Sequence, residues 1–165
     1  MMRLLQKLKG RLSEPADRVH LNVFRYHLAT YRQPDVHARA MARAARRLNL
    51  SVSELAAGDH AALDEITSID EWRIGKEWSL KLLGEGWRCY LARHDGHIVS
   101  IIWTIVGKTF RDDRLERTLT LAPDEAYFGR GFTIPEFRGR GVISVLGAHA
   151  IRDLTDSGVR QGTAL

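Results

Sequence analysis

A chain of 165 residues with 44% hydrophobic content and a net charge of +5 can bury one substantial core, with room for a small N-terminal appendage. Its single cysteine, Cys89, excludes an intramolecular disulfide and a cysteine-rich metal site and fits a reducing compartment. The longest apolar run, Ile98 to Val106, is broken by Ser100 and Thr104 and is too short to cross a bilayer.

The opening residues lack the continuous apolar segment and small-residue cleavage site of a signal peptide, so a cytoplasmic location is expected. Met1 to Leu12 is a basic amphipathic stretch, with Leu4, Leu5, Leu8 and Leu12 on one side; it suits an anionic membrane surface, a partner, or docking on its own domain. After a connector at Ser13 to Asp17, the alternation in Val19 to Leu28 reads as a strand. His20 and His27 on it read as solvated residues, because no carboxylate or cysteine cluster completes a metal site. Ala38 to Leu48 has high helix propensity, and its arginines form a solvated face. The basic excess lies in the first 47 residues without interleaved aromatics, which argues against nucleic acid as the partner.

The character changes near Leu50, which divides a 1–48 extension from a 49–165 domain. Ser51 to Leu55 reads as a short strand. Asp59 caps a helix through Ala61, Ala62, Leu63 and Ile66, and a second helix is expected over Asp70 to Leu83. Trp87 to Ala92 and Ile98 to Val106 form a hairpin around the Asp95-Gly96 turn, with Trp87, Tyr90 and Trp103 packed in the sheet and His94 and His97 exposed beside the turn. Lys108 to Arg117 reads as a charged loop, with an extended Leu119 to Pro123 after it. The next strand runs from Glu125 or Ala126 to Ile134, where Gly129 and Gly131 suggest a bulge or a ligand close to the backbone.

The stretch from Gly131 to Gly158 carries the chemistry. Pro135 has no N–H for a sheet ladder, so the strand stops there. A tight Phe137 to Gly141 connection leads into a helix whose apolar face is Val142, Val145, Leu146, Ala148, Ala150, Ile151 and Leu154, ended by Ser157-Gly158. The first N–H groups of that helix have no intrahelical partner and sit at the positive end of its dipole. Glycines at 139 and 141 remove the Cβ atoms that would keep an anion away, and Arg138 and Arg140 add charge that pairs with a diphosphate. No Gly-Lys-Ser/Thr follows, which excludes a P-loop. Ser144 stands where a dinucleotide fingerprint needs glycine.

The run Pro135-Glu136-Phe137-Arg138-Gly139-Arg140-Gly141-Val142 resembles the acyl-CoA signature of the GNAT superfamily of N-acetyltransferases, Q/R-x-x-G-x-G/A. Arg138 and Gly141 fill its first two slots, and Ile143 stands where the family has glycine or alanine. The resemblance implies a mixed α/β sheet, with acetyl-CoA as cosubstrate along Phe132, Thr133 and Ile134 and across Arg138, Gly139, Arg140, Gly141, Val142, Ile143 and Ser144. It also implies that the amide of Thr133, five residues before Arg138, faces the thioester carbonyl. The family commonly places its base on this strand. Tyr127 sits at the usual spacing and Glu125 is the nearest carboxylate; the structural alternatives are a core aromatic and a surface charge. No metal is implied, the acceptor is a small or peptide primary amine, and a homodimer is compatible with the chain. Seven residues follow Gly158, 165 minus 158, enough for one closing strand, so the fold is expected to lack the family's last helix and strands. A non-catalytic CoA-binding or interaction module is the alternative, favoured by Ile143 and the short C-terminus.

Overall fold

The computed structural model describes residues 24–27, 36–72, 74–112 and 116–164. The basic Met1 to Leu12 stretch, the connector after it and His20 lie outside the described residues. In chain order the elements are β1 (Phe24–His27), α1 (Val36–Arg47), β2 (Leu50–Glu54), α2 (His60–Thr67), α3 (Lys76–Glu85), β3 (Arg88–His94) and β4 (His97–Val106). They continue with β5 (Thr109–Asp112), β6 (Arg117–Thr120), β7 (Glu125–Thr133), α4 (Val142–Asp156) and β8 (Gln161–Ala164).

Six strands make one sheet in the order β1-β8-β7-β4-β3-β2, while β5 and β6 pair separately. Every neighbouring pair is antiparallel except β7 and β8, which run parallel and are joined by α4 as a crossover. Of the strand expected over Val19 to Leu28, Phe24–His27 is described as β1 and the rest lies outside the described residues; β1 pairs with β8, Phe24 opposite Ala164 and His27 opposite Gln161. The far edge of β8, where the resemblance called for strands from beyond the crossover, is therefore covered by the N-terminal segment. Helix α1 packs on α4, so both described elements before residue 49 join the same layers as the rest.

Local sequence explains most of the boundaries. Asp59 accepts from the Ala62 amide at 3.0 Å and caps α2. Asp95 and Gly96 both have positive φ, 48° and 87°, as a two-residue hairpin of the primed type needs. At the end of α4 the Val159 and Gly158 amides donate to the Leu154 and Thr155 carbonyls, a Schellman closure with Gly158 left-handed at 94°.

Two expectations need correction. The helix expected over Asp70 to Leu83 is split: Asp70–Trp72 is a 3₁₀ turn, and α3 starts only after Gly75, which is extended at φ −81° and ψ 150°. Lys108 to Arg117 is not loop throughout: Thr109–Asp112 forms β5 and pairs with β6, which begins at Arg117, and in β5 Phe110 and Asp112 turn inward while Thr109 and Arg111 stay exposed. With only two inward positions, one of them a carboxylate, the alternation did not read as amphipathic.

The sheet separates two cores. On one face Trp72, Trp87, Trp103, Ile101, Ile105 and Tyr127 pack under α2, α3 and the β5–β6 hairpin. On the other, Tyr90, Ala126 and Phe128 meet Val142, Leu146, Ala150 and Leu154 of α4. Each large side chain buried this way contributes roughly 1.5–3 kcal/mol.

Candidate functional site

The phosphate-loop candidate lies where β7 gives way to α4. Pro135–Phe137 forms a 3₁₀ turn after the extended Ile134, and Gly139 and Gly141 then take left-handed φ values of 70° and 81°. Nothing lies within 4 Å of where a Cβ would stand at either glycine, so the loop opens outward. Gly141 is the N-cap of α4 and no side chain caps it. The first helical bond is donated by Val145 to the Gly141 carbonyl at 3.1 Å, so the amides of Val142, Ile143 and Ser144 precede the ladder. Arg138, Gly139, Arg140, Ile143 and Ser144 are exposed.

Neighbouring groups order this corner. Arg138 Nε donates to the Thr133 carbonyl at 2.9 Å, which ties the loop back to the end of the strand. Arg140 sits over the Phe137 ring at 5.4 Å, and the His94 ring lies 4.9 Å from the same phenyl. His94 is thus half-buried rather than exposed, with Nδ1 2.6 Å from the Leu48 carbonyl; His97 is exposed as expected. Thr133 and Ser100 share a hydroxyl contact of 2.9 Å, and Ser100 Oγ donates to the Phe132 carbonyl at 2.7 Å.

The glycines of β7 behave in two ways. Between the pairs Ile101–Phe132 and Trp103–Gly129 the strand carries one extra residue, so the expected bulge is present, centred on Arg130 and Gly131. The close approaches come from the protein itself. A Cβ on Gly129 would stand 2.5 Å from the Tyr127 ring, and one on Gly131 would stand 3.2 Å from Cδ1 of Ile143. Past Phe128, the described pairing of β7 is with β4 alone.

A second feature lies on the opposite face of the sheet. A cavity of about 360 Å³ opens between α3 and the β5–β6 hairpin, walled by Trp78, Trp87, Phe110, Lys81, Glu85 and Arg130, with Asp112 also in its lining. Asp112 is only 2% exposed and accepts from the Tyr127 hydroxyl at 3.0 Å. Tyr127 is itself 1% exposed, wedged against Trp87 and Phe110. The carboxylate that accepts from the Tyr127 hydroxyl is therefore Asp112, not Glu125. Glu125 is no surface charge either: it is 2% exposed, and accepts from Thr163 Oγ1 at 2.5 Å and from the Ala122 amide at 3.1 Å at the start of β7. Asp112 was out of reach of sequence reasoning because its neighbours read as a solvated loop. Its signal was the single apolar Phe110 two residues earlier.

Comparison with known proteins bears on the fold. No protein-family model and no curated protein sequence matches the chain. The GCN5-related glucosamine N-acetyltransferase region of a fungal multi-domain GH3 β-N-acetylglucosaminidase superposes with a TM-score of 0.61 at 15% identity, over 86% of this chain and 17% of that one. An aminoglycoside acetyltransferase from an uncultured soil metagenomic sample, solved with sisomicin, gives 0.52 at 15% identity over 73% of this chain and 79% of its own. The chain has the GNAT fold. An aminoglycoside N-acetyltransferase in complex with CoA agrees, at 0.51 and 16% identity over 70% of this chain and 78% of its own.

Within this GNAT fold a polar network fastens α4 to the sheet, away from both features. Arg88 bridges Glu54, its Nε at 2.8 Å, and Asp153, at 2.5 Å, and the Tyr90 hydroxyl donates to Asp153 at 2.7 Å. Burial pushes the Asp153 carboxyl up, but the hydrogen bonds from Tyr90 and Arg88 and the Arg88 charge outweigh it and hold the group below its ordinary 3.8. Burial, then Arg152, lowers the imidazole of His149 beside it.

Proposed function

We propose that the protein is an acyl-CoA-dependent N-acyltransferase that moves an acetyl group from acetyl-CoA to a primary amine in the cytoplasm. One observation carries this reading: the N-terminus of α4 is uncapped, open, glycine-lined and flanked by Arg138 and Arg140, reached from the end of β7 in a GNAT fold through the Pro135–Phe137 turn. A diphosphate fits there, with the amides of Val142, Ile143 and Ser144 donating and the two arginines supplying charge-assisted bonds. Phe132, Thr133 and Ile134 offer an extended edge for the rest of the cosubstrate, Gly139 and Gly141 keep the approach clear, and the Thr133 amide is the donor assigned to the acyl oxygen.

When bound, acetyl-CoA supplies the activated acetyl thioester. The acceptor enters from the cavity on the other face, whose Arg130 is three residues before Thr133, about 10 Å along a strand. Tyr127 and Asp112 take the proton that the amine loses as its nitrogen bonds to the acyl carbon, and the departing thiolate is protonated from solvent. Glu125, committed to Thr163 and Ala122, holds the start of β7 in register, and its part in proton transfer is the weaker assignment.

The test is ligand-induced stabilisation. Acetyl-CoA should raise the melting temperature of the intact protein, and Arg138→Ala combined with Gly141→Val should remove that rise. No rise in the intact protein overturns the reading. A second reading, a CoA-binding module without turnover, is favoured by Ile143, which is 39% exposed at the helix start where the family has a small residue. Release of free CoA thiol with an amine panel decides between them.

A further inference from the structure

Ser100 interrupts the apolar run of β4 and is fully buried, where a hydroxyl destabilises the fold unless it finds hydrogen-bond partners. Both of its partners lie on β7. Ser100 Oγ donates to the Phe132 carbonyl at 2.7 Å and stands 2.9 Å from Thr133 Oγ1. With its one proton given to the carbonyl, the serine accepts from the Thr133 hydroxyl.

The direction of the backbone gives this pair its meaning. The Ile134 amide donates to the Val99 carbonyl at 3.0 Å, and Thr133 lies opposite Ser100. Backbone groups of successive strand residues turn to alternate edges, so Phe132 and Ile134 turn theirs toward β4 and the Thr133 N–H points the other way. On that side the described pairing of β7 with β8 stops at Phe128. The Phe132 carbonyl and the Thr133 N–H belong to one planar peptide unit. A bond to one end therefore fixes the direction of the other, and it also polarises it, because linked hydrogen bonds strengthen one another where the dielectric is low.

The segment needs such a brace. Phe132 to Ile134 lies between the bulge at Arg130 and Gly131, where the ladder is broken, and Pro135, which has no N–H to extend it. Arg138 Nε holds the next carbonyl, that of Thr133, so two consecutive peptide units are tied down, one by each side chain.

We infer that Ser100 is a positioning residue for acyl transfer: through the Phe132 carbonyl it aims and strengthens the Thr133 N–H that receives the acyl oxygen. This rests on the acyltransferase reading and on that amide as its donor. Ser100 acts only through the peptide unit and touches neither the acceptor nor the cosubstrate.

The experiment is infrared difference spectroscopy of carbonyl-labelled acetyl-CoA bound to the protein, together with the affinities for acetyl-CoA and CoA. A hydrogen bond weakens the C=O bond, so the thioester band of bound acetyl-CoA should move to lower wavenumber, and Ser100→Ala should lose much of that shift. CoA has no acyl oxygen and should bind Ser100→Ala as it binds the intact protein. Acetyl-CoA should bind that variant roughly two- to tenfold more weakly, the range for one neutral hydrogen bond. Ser100→Thr keeps the hydroxyl and should restore most of the band shift. Ser100→Ala combined with Thr133→Val removes both hydroxyls, so neither is left without its partner and the fold keeps its stability; its band should match that of Ser100→Ala. Equal weakening of CoA and acetyl-CoA, or a band that Ser100→Ala leaves in place, overturns the inference while the acyltransferase reading stands. A band that is unshifted in the intact protein overturns it as well and leaves cosubstrate binding intact. An intact protein that binds neither CoA nor acetyl-CoA sinks the acyltransferase reading and this inference with it.

Discussion

The two sides of the sheet put the proposed function in different physical hands. At the start of α4 the working groups are backbone amides and arginines on the outside of the molecule, and the glycines at 139 and 141 matter for what they leave empty. Under α3 and the β5–β6 hairpin the working groups are buried side chains, and Gly129 matters because the Tyr127 ring fills the space beside it. The first region is one contiguous segment whose shape follows from local rules. The second is assembled from α3, Trp87 just before β3, β4, β5 and β7, and none of those segments makes it alone. Substitutions should therefore separate: stability should dominate on the cavity side and ligand binding on the loop side.

The largest effect that would expose this division is Trp103→Ala. Trp103 has no exposed surface and meets Trp78 edge to face at 5.7 Å, so its truncation should cost about 3–5 kcal/mol in denaturant unfolding. Next comes Gly129→Ala, whose new methyl group collides with the Tyr127 ring; about 1–3 kcal/mol is expected, and a Tyr127→Ala background should recover much of it in a double-mutant cycle. On the other side, Gly141→Ala meets no neighbour and costs only the left-handed backbone, about 1–2 kcal/mol, yet it should weaken the acetyl-CoA response more than Gly129→Ala does. If both glycine variants lose stability and ligand response in the same proportion, the contrast between the faces fails.

Two smaller effects sharpen the comparison. Asp153 is held below its ordinary value in the folded protein, so its contribution is present above pH 3.8 and is lost as pH falls through the lower folded value. Asp153→Asn should flatten the acid limb of a stability profile and leave the cavity side untouched. Ile143→Ala removes an exposed side chain that leans on Gly131, so unfolding should change by no more than about 0.5 kcal/mol. Its acetyl-CoA response should rise if that side chain crowds the phosphates, and an unchanged response would make the departure from the family pattern inconsequential.

The two regions were also unequally legible. Pro135, the glycines, the arginines and the apolar period after Val142 carry their structural meaning in short-range geometry, and the structure places the strand end, the open loop, α4 and its glycine stop as those rules require. The Asp95-Gly96 hairpin and the Asp59 cap were readable for the same reason. The β5–β6 hairpin was not, because one of its two inward residues is a carboxylate whose burial depends on the Tyr127 hydroxyl, a partner 15 positions away. Nor could alternation alone foresee that one extra residue at Arg130 resets which side of β7 faces the core.

By itself, then, the sequence determined a strand, an open, glycine-lined corner and the helix behind it, because backbone sterics and helix-end hydrogen bonding act between residues a few positions apart. Only the tertiary structure decided that β1 covers the far edge of β8, that Asp112 rather than Glu125 meets Tyr127, and that Arg130 is laid against Trp78. Those outcomes rest on burial and pairing between distant segments, where the energy of a charged or aromatic group is set by neighbours that the local chain does not name.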